Sequence, residues 1–193
     1  VYPWIRTVIP NGVDLARYRP GRKDPVPTVL FVGTYQWRKR GELLMEVFER
    51  EIRPVVPEAV LWMVCTDAPD APGVEVLGRL SDDDLADRYR RAWAFCLPSS
   101  YEGFGVPYIE AMASGTAVVA TPNPGAIETL DGGRLGVLVD PTELGGAILA
   151  LLAEPSRRHS FENSGLAASR RYDWNKVAAH YVEIYQRLQR SGV

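Results

Sequence analysis

Glu102 and Glu110, with seven residues between them, stand in the most heavily punctuated stretch of the chain, SSYEGFGVPYIEAMASG at residues 99–115. Glycines flank Phe104, Pro107 follows, and Gly115 closes the stretch. Pro107 suits the first turn of a helix, where its missing N–H costs nothing. Gly115 suits the position just past the last turn. The spacing predicts a helix over residues 107–114, fed by the loop Glu102-Gly103-Phe104-Gly105. Before it, AWAFCL at residues 92–97 reads as a short buried strand. Strand, glycine-containing loop and helix together turn free backbone N–H groups and the positive end of a helix dipole toward an anion. Two carboxylates beside an anion would repel it, so their fitting partners are neutral hydroxyls, as on a sugar or a ribose. Taken alone, the same acids also suit a solvated loop and an exposed helix face.

The surrounding elements alternate. Residues 28–32, 59–65, 74–77, 117–121 and 136–139 read as further buried strands. Helices are expected over residues 41–53, from 81, over 126–130, and, at the end, over 141–153, 156–170 and 173–189. Residues 6–10 are a candidate strand, and residues 20–27 a surface linker. Ser81 before Asp82-Asp83-Asp84 is a helix N-cap with acids in the first turn, where they complement the dipole, rather than a metal motif. Strands that are apolar on both faces, at βα spacing, imply an α/β fold: a Rossmann-like, doubly wound parallel sheet. Its crevice lies at the carboxyl ends of the strands, so the loops after Val32, Leu77, Leu97 and Thr121 should share one rim.

Composition removes several functions. The 193 residues are 46% hydrophobic and carry a net charge of −2, which gives no basic surface for nucleic acid. No apolar run approaches the roughly 18–20 residues of a membrane span, so direct membrane insertion is not expected. The N-terminus lacks the layout of a signal peptide and reads as a segment that starts inside a longer architecture. Cys65 and Cys96 sit in apolar runs as reduced core residues, and the two histidines are too scattered for zinc. No metal site is expected. A nicotinamide-dependent dehydrogenase is disfavoured, because Gly33 is not followed by G-x-G-x-x-G spacing.

The motifs are similar to those of the retaining, GT-B-fold glycosyltransferases of family 4. Glu102 through Glu110 matches the family's E-x7-E signature, and Ala111-Met112-Ala113-Ser114-Gly115-Thr116 continues it. Val8-Ile9-Pro10-Asn11-Gly12-Val13-Asp14, Phe31-Val32-Gly33-Thr34 with Arg38-Lys39, Pro98-Ser99, and Trp174 with Tyr185 follow in the family's order. The resemblance covers nearly the whole chain but only the second, donor-binding domain of such enzymes. Residues 1–14 would be the inter-domain crossover and residues 15–193 the C-terminal GT-B domain, with extra C-terminal helices. The last helix would return to an N-terminal acceptor domain that the chain does not include.

The resemblance implies a nucleoside-diphosphate sugar as ligand (UDP-, GDP-, ADP- or dTDP-linked), no metal or other cofactor, and a cytoplasmic setting at the inner face of the membrane through the acceptor domain. Lys39, with Arg38, would bind the donor diphosphate. Glu102 would contact the donor sugar, which makes Lys39 and Glu102 the catalytic pair. Glu110 would accept from the ribose hydroxyls. Gly33 and Thr34 would line the phosphate loop, and Gly103, the backbone amides of Phe104 and Gly105, and Val106 would hold sugar and phosphate. Gly78-Arg79-Leu80 would lie beside the base. Two departures stand out: Thr34 replaces an arginine, and Cys65-Thr66-Asp67-Ala68 replaces a Gly-x-Gly. Thr34 is the one residue that favours the alternative, a degenerate, non-catalytic interaction module.

Other residues carry weaker expectations. Trp37 is assigned to a ligand or to the absent domain. Glu128 is either a dipole partner of its helix or a ligand contact, and Arg40 a solvated charge. The arginines at positions 88, 90, 91, 157, 158, 170 and 171 are expected on exposed helix faces, and Tyr181 and Tyr185 in the core.

Overall fold

The computed structural model describes residues 7–190. Six strands form one parallel sheet: β1 (Thr28–Val32), β2 (Val60–Val64), β3 (Val74–Val76), β4 (Ala94–Leu97), β5 (Ala117–Ala120) and β6 (Val137–Leu138), in the order β3-β2-β1-β4-β5-β6. All four residues of β4 and of β5 are buried. Successive side chains point to opposite faces, so both faces of the sheet centre are covered. Among the described residues there are seven α-helices, α1 (Gly41–Val47), α2 (Asp82–Arg91), α3 (Val106–Ala113), α4 (Pro124–Thr129), α5 (Leu144–Ala153), α6 (Pro155–Ser169) and α7 (Trp174–Arg190), and α1, α2, α3, α5 and α6 pack on the strands. The strand order reverses between β1 and β4, and a crevice opens at such a switch point.

Local chemistry sets the boundaries. Ser81 caps α2, its hydroxyl accepting from Asp84 N at 3.2 Å, and Arg17 answers the acids of that first turn at 2.8 Å from Asp82 and 3.2 Å from Asp83. Gly105 precedes α3 at φ 87°, a conformation that a side chain rarely adopts. The helix expected over residues 41–53 is regular only to Val47. It then widens, with Arg53 N bonded to Phe48 O five residues back. Cys65 and Cys96 are buried and unbridged.

Three expectations fail. Of the candidate strand at residues 6–10, Arg6 lies outside the described residues, and residues 7–10 pair with nothing in a sheet. Pro10 has no N–H for a ladder, and the segment is pinned further on, where Val13 bridges to the start of α7 by Val13 N to Tyr172 O at 2.7 Å. Tyr181 and Tyr185 are not core residues: they are 43% and 62% exposed, and α7 buries only Val177. No described element lies over that face.

Several arginines are not on open helix faces. Arg158 is 6% exposed, with its guanidinium stacked 4.2 Å from the Trp93 ring and donating to Leu151 O at 2.8 Å, where it closes the end of α5. Arg88 lies 4.5 Å over Trp62, and Arg91 pairs with the buried Asp24. A guanidinium's flat face tolerates aromatic cover while its edge keeps polar partners, which a count of charges along a helix does not show.

Candidate functional site

The loop after β1 carries the cations. Its backbone is unusual: Trp37 at φ 65° and Arg40 at φ 53° are both left-handed, a conformation that costs non-glycine residues on the order of 1–3 kcal/mol. Between them a single 3-10 turn, Trp37–Lys39, aims Lys39 back across the switch point. Gly33 permits this, since a Cβ there would stand 3.0 Å from Lys39 Cγ. Trp37 itself is 84% exposed.

On the other side of the switch point is the loop after β4. Glu102 is 6% exposed, and its Oε1 accepts from Lys39 Nζ at 2.7 Å and is ion-paired with Arg38 Nη1 at 3.0 Å. The loops are also tied through backbone, Ser100 N to Arg38 O at 2.8 Å and Arg38 Nη1 to Tyr101 O at 3.1 Å. Burial pushes the Glu102 carboxyl up, but Lys39, the Ser99 hydroxyl and Arg38 outweigh it and hold the group below the usual glutamate range. Among the described residues, the N–H groups of Phe104, Gly105 and Val106 meet no protein acceptor, as anion-binding amides at a helix start would.

Glu110 occupies different ground. It lies within α3 and lines a cavity of about 430 Å³ with Asn11, Asp14, Tyr18, Asp82, Val106 and Trp174. Burial raises its carboxyl, the Tyr89 and Tyr18 hydroxyls oppose the rise, Asp82 adds to it, and Lys39 opposes it from farther off.

A second cleft, about 470 Å³, opens beyond the carboxyl ends of β1, β2 and β3. Gly33, Thr34, Lys39, Gly78, Arg79 and Leu80 line it, so six residues singled out from three separate stretches meet in one place. Cys65, Thr66 and Asp67 complete the wall. Glu102 is joined to this cleft through Lys39 but does not line it. Gly103 is exposed, and Phe104 is turned onto Tyr172 with ring centroids 5.7 Å apart. The Thr34 hydroxyl bonds to Gln36 O at 3.2 Å, within its own loop. Glu128 is exposed on α4 with no partner among the described residues.

The segment at residues 121–129 supports the signature loop and was missed by sequence reasoning. Thr121 Oγ1 donates to Ser99 O at 2.7 Å, Gly125 N to Glu102 O at 2.9 Å, and Thr129 Oγ1 to Phe104 O at 2.7 Å. Asn123 caps α4, its Oδ1 accepting from Ala126 N at 3.0 Å, and its amide donates to Ser99 O at 3.2 Å. A Cβ on Gly125 would stand 2.8 Å from Glu102 O. The dipeptide Asn123-Pro124 is an N-cap followed by a first-turn proline and was the available signal for the start of α4.

Comparison with known proteins agrees with this fold. Residues 26–154 match the family described as Glycosyl transferases group 1. The chain is 32% identical to the phosphatidyl-myo-inositol mannosyltransferase of Mycobacterium tuberculosis (strain ATCC 25618 / H37Rv) over 206 aligned positions, which cover 95% of this chain and 54% of the relative. The chain therefore spans about half the length of the curated relatives that it matches. Among solved structures, sucrose-phosphate synthase from Thermosynechococcus elongatus superposes with a TM-score of 0.82 at 26% identity, over 96% of this chain and 53% of that one. Anabaena Alr3699/HepE, solved in complex with UDP and glucose, shares the fold at a TM-score of 0.78 and 20% identity, over 93% of this chain and 56% of that one. No helix among the described residues is long and apolar enough to cross a membrane.

Proposed function

The chain belongs to the group 1 glycosyl transferases, and from that premise we propose that it is the donor-binding half of a retaining enzyme that moves a hexose-type sugar from a nucleoside-diphosphate sugar to an acceptor held by the rest of the protein. The carrying observation is the Lys39–Glu102 pair, 2.7 Å apart across the sheet's switch point and next to unpaired amides at the start of α3. Breaking a sugar–nucleotide bond leaves negative charge on the diphosphate while the anomeric carbon turns cationic. Lys39, Arg38 and the α3 amides stabilise the departing charge, the kind of pre-set electrostatics that carries most of many rate enhancements. This reading assigns the phosphate charge to protein groups and gives no step to a metal. Glu102 orients the sugar and Glu110 the ribose by charge-assisted hydrogen bonds. The Gly78-Arg79-Leu80 wall of the larger cleft receives the base.

Residues 15–193 act as the donor domain in this reading, and residues 1–14 as the crossover. The exposed Trp37 and the exposed face of α7 (Trp174, Tyr181, Tyr185, Leu188) are assigned to the acceptor-binding part. The chain alone should bind donor and transfer poorly.

Calorimetry with UDP, GDP, ADP and dTDP tests the reading. One nucleotide is expected to bind, and Lys39→Ala and Glu110→Ala are each expected to weaken it about tenfold or more, in line with hydrogen bonds to charged groups. Binding unchanged in both variants refutes the site. The alternative, a non-catalytic Rossmann-like module, is favoured by Thr34, whose hydroxyl is engaged within its own loop. It requires that no nucleotide raise the melting temperature.

A further inference from the structure

Phe104 stands in the middle of the loop assigned to the donor, yet its ring rests on Tyr172, far along the chain. The two rings meet edge to face, with centroids 5.7 Å apart and planes at 81°. The Phe104 carbonyl accepts from Thr129 Oγ1 at 2.7 Å, and a Cβ on Gly125 would stand 2.8 Å from its carbonyl carbon. The backbone of Phe104 is therefore braced by α4, and its side chain by the turn before α7.

Tyr172 closes the 3-10 turn Arg170–Tyr172 and is 5% exposed. Its hydroxyl accepts from Arg171 Nη2 at 2.7 Å, and the same guanidinium lies 4.7 Å over its ring. Its carbonyl accepts from Val13 N at 2.7 Å, and Val13 O accepts in turn from Trp174 N at 3.2 Å. Gly12 lies against the Trp174 ring, so close that a Cβ would stand 2.4 Å from it. One chain of contacts thus runs from Phe104 through Tyr172 to residues 12–13 and the first turn of α7.

We propose that Tyr172 is a positioning residue for the loop at residues 102–105, and that a ligand on that loop is coupled through it to the bridge between Val13, Tyr172 and Trp174. The inference rests on the donor-binding reading. It concerns how occupancy of the site reaches residues 11–14 and α7, the two segments which that reading joins to the acceptor-binding part. The N–H groups of Phe104 and Gly105 meet no protein acceptor among the described residues. An anion that accepts from them fixes the peptide units on both sides of the Phe104 Cα, and those units set the direction of its ring. A ring fixed in direction packs on Tyr172 more closely than a ring that moves. Tyr172 cannot shift without carrying its carbonyl away from Val13 N. Ligand therefore favours the closed bridge, and by linkage the closed bridge favours the ligand by the same factor.

The test uses the 193-residue chain, calorimetric binding of UDP, GDP, ADP and dTDP, and amide hydrogen exchange at Val13 and Trp174, whose N–H groups form the bridge. Exchange at such amides reads local opening. In the wild type, saturation with the nucleotide that binds is expected to raise protection of both amides about fivefold, the scale of one aromatic pair. Tyr172→Leu is expected to weaken that nucleotide by a similar factor and to abolish the rise in protection at saturation. Tyr172→Phe, which keeps the ring and gives up the Arg171 bond, should retain both. Val13 and Trp174 also line the cavity beside Glu110, so a rise that survives in Tyr172→Leu marks direct cover by the nucleotide and overturns the coupling. Unchanged protection in the saturated wild type overturns it too, as does a Tyr172→Phe variant that loses as much as Tyr172→Leu. If Tyr172→Leu does not fold, Phe104→Leu breaks the same contact from the loop side and must remove the response at both amides. If none of the four nucleotides binds the wild type, the donor-binding reading falls, and this proposal with it.

Discussion

Glu102 and Glu110 flank the same helix start, yet the protein surrounds them in opposite ways. Glu102 sits on a loop between Lys39 and Arg38, and its carboxyl is held below the ordinary range. Glu110 sits on α3 among tyrosine hydroxyls and near Asp82, and its carboxyl is pushed up. A carboxylate locked to two cations changes partners when a phosphate arrives, because Lys39 can exchange Glu102 for the ligand. A carboxylate with no ion-pair partner among the described residues has none to exchange and simply accepts further hydroxyls. In the proposed reading, the first region responds to the leaving diphosphate and the second reads the part of the donor that stays intact.

The largest effect that could break this contrast is on stability. Lys39→Ala leaves a nearly buried carboxylate without its nearest partner, which typically costs about 3 kcal/mol. The melting temperature should fall, and adding Glu102→Gln should restore much of the loss without restoring nucleotide binding. If Lys39→Ala leaves the melting temperature unchanged, the pair does not carry the tension assigned to it.

A smaller effect has opposite signs at the two glutamates. Glu102 has a depressed folded value, so the unfolded chain binds its proton more readily. Its contribution to stability is present above the ordinary glutamate value of 4.5 and is lost as pH falls through the folded value. Glu110 has a raised folded value, so its contribution is full below 4.5 and is lost as pH rises through the folded value. Urea unfolding across pH 3–7, followed for Glu102→Gln and Glu110→Gln, should remove a rising slope in one and a falling slope in the other. Slopes of the same sign would dissolve the comparison.

Much of this was legible in local sequence. Gly105, Pro107 and Gly115 set the limits of α3 through backbone preferences that need no distant partner, and Ser81 does the same for α2. Short two-sided apolar runs located the strands, and the parallel topology then placed Lys39 opposite Glu102. What escaped depends on distant contacts. The bracing from Thr121, Asn123 and Gly125 joins two loops that are neighbours only because β4 and β5 pair. Tyr18 meets Glu110 at one cavity wall from another segment. Helical spacing puts Arg158 toward solvent because it carries no information about Trp93. The apolar stripe puts Tyr181 and Tyr185 in the core because it signals a covered face without saying what covers it.

That bracing gives the smallest and most selective test. Asn123 touches the Glu102 loop through Ser99 O and caps α4, and none of its bonds reaches Glu110. Asn123→Ala removes a helix cap, at about 1 kcal/mol, and slackens the loop that carries Glu102. Nucleoside diphosphate affinity should fall severalfold, because the amides before α3 and the Lys39 partner shift together. The ratio of ribonucleotide to deoxynucleotide affinity should stay at the wild-type value, because Glu110 is carried by α3 and Asn123 makes no bond to it. A change in that ratio would mean that the two glutamates share one support, and their contrast would then be one of charge alone.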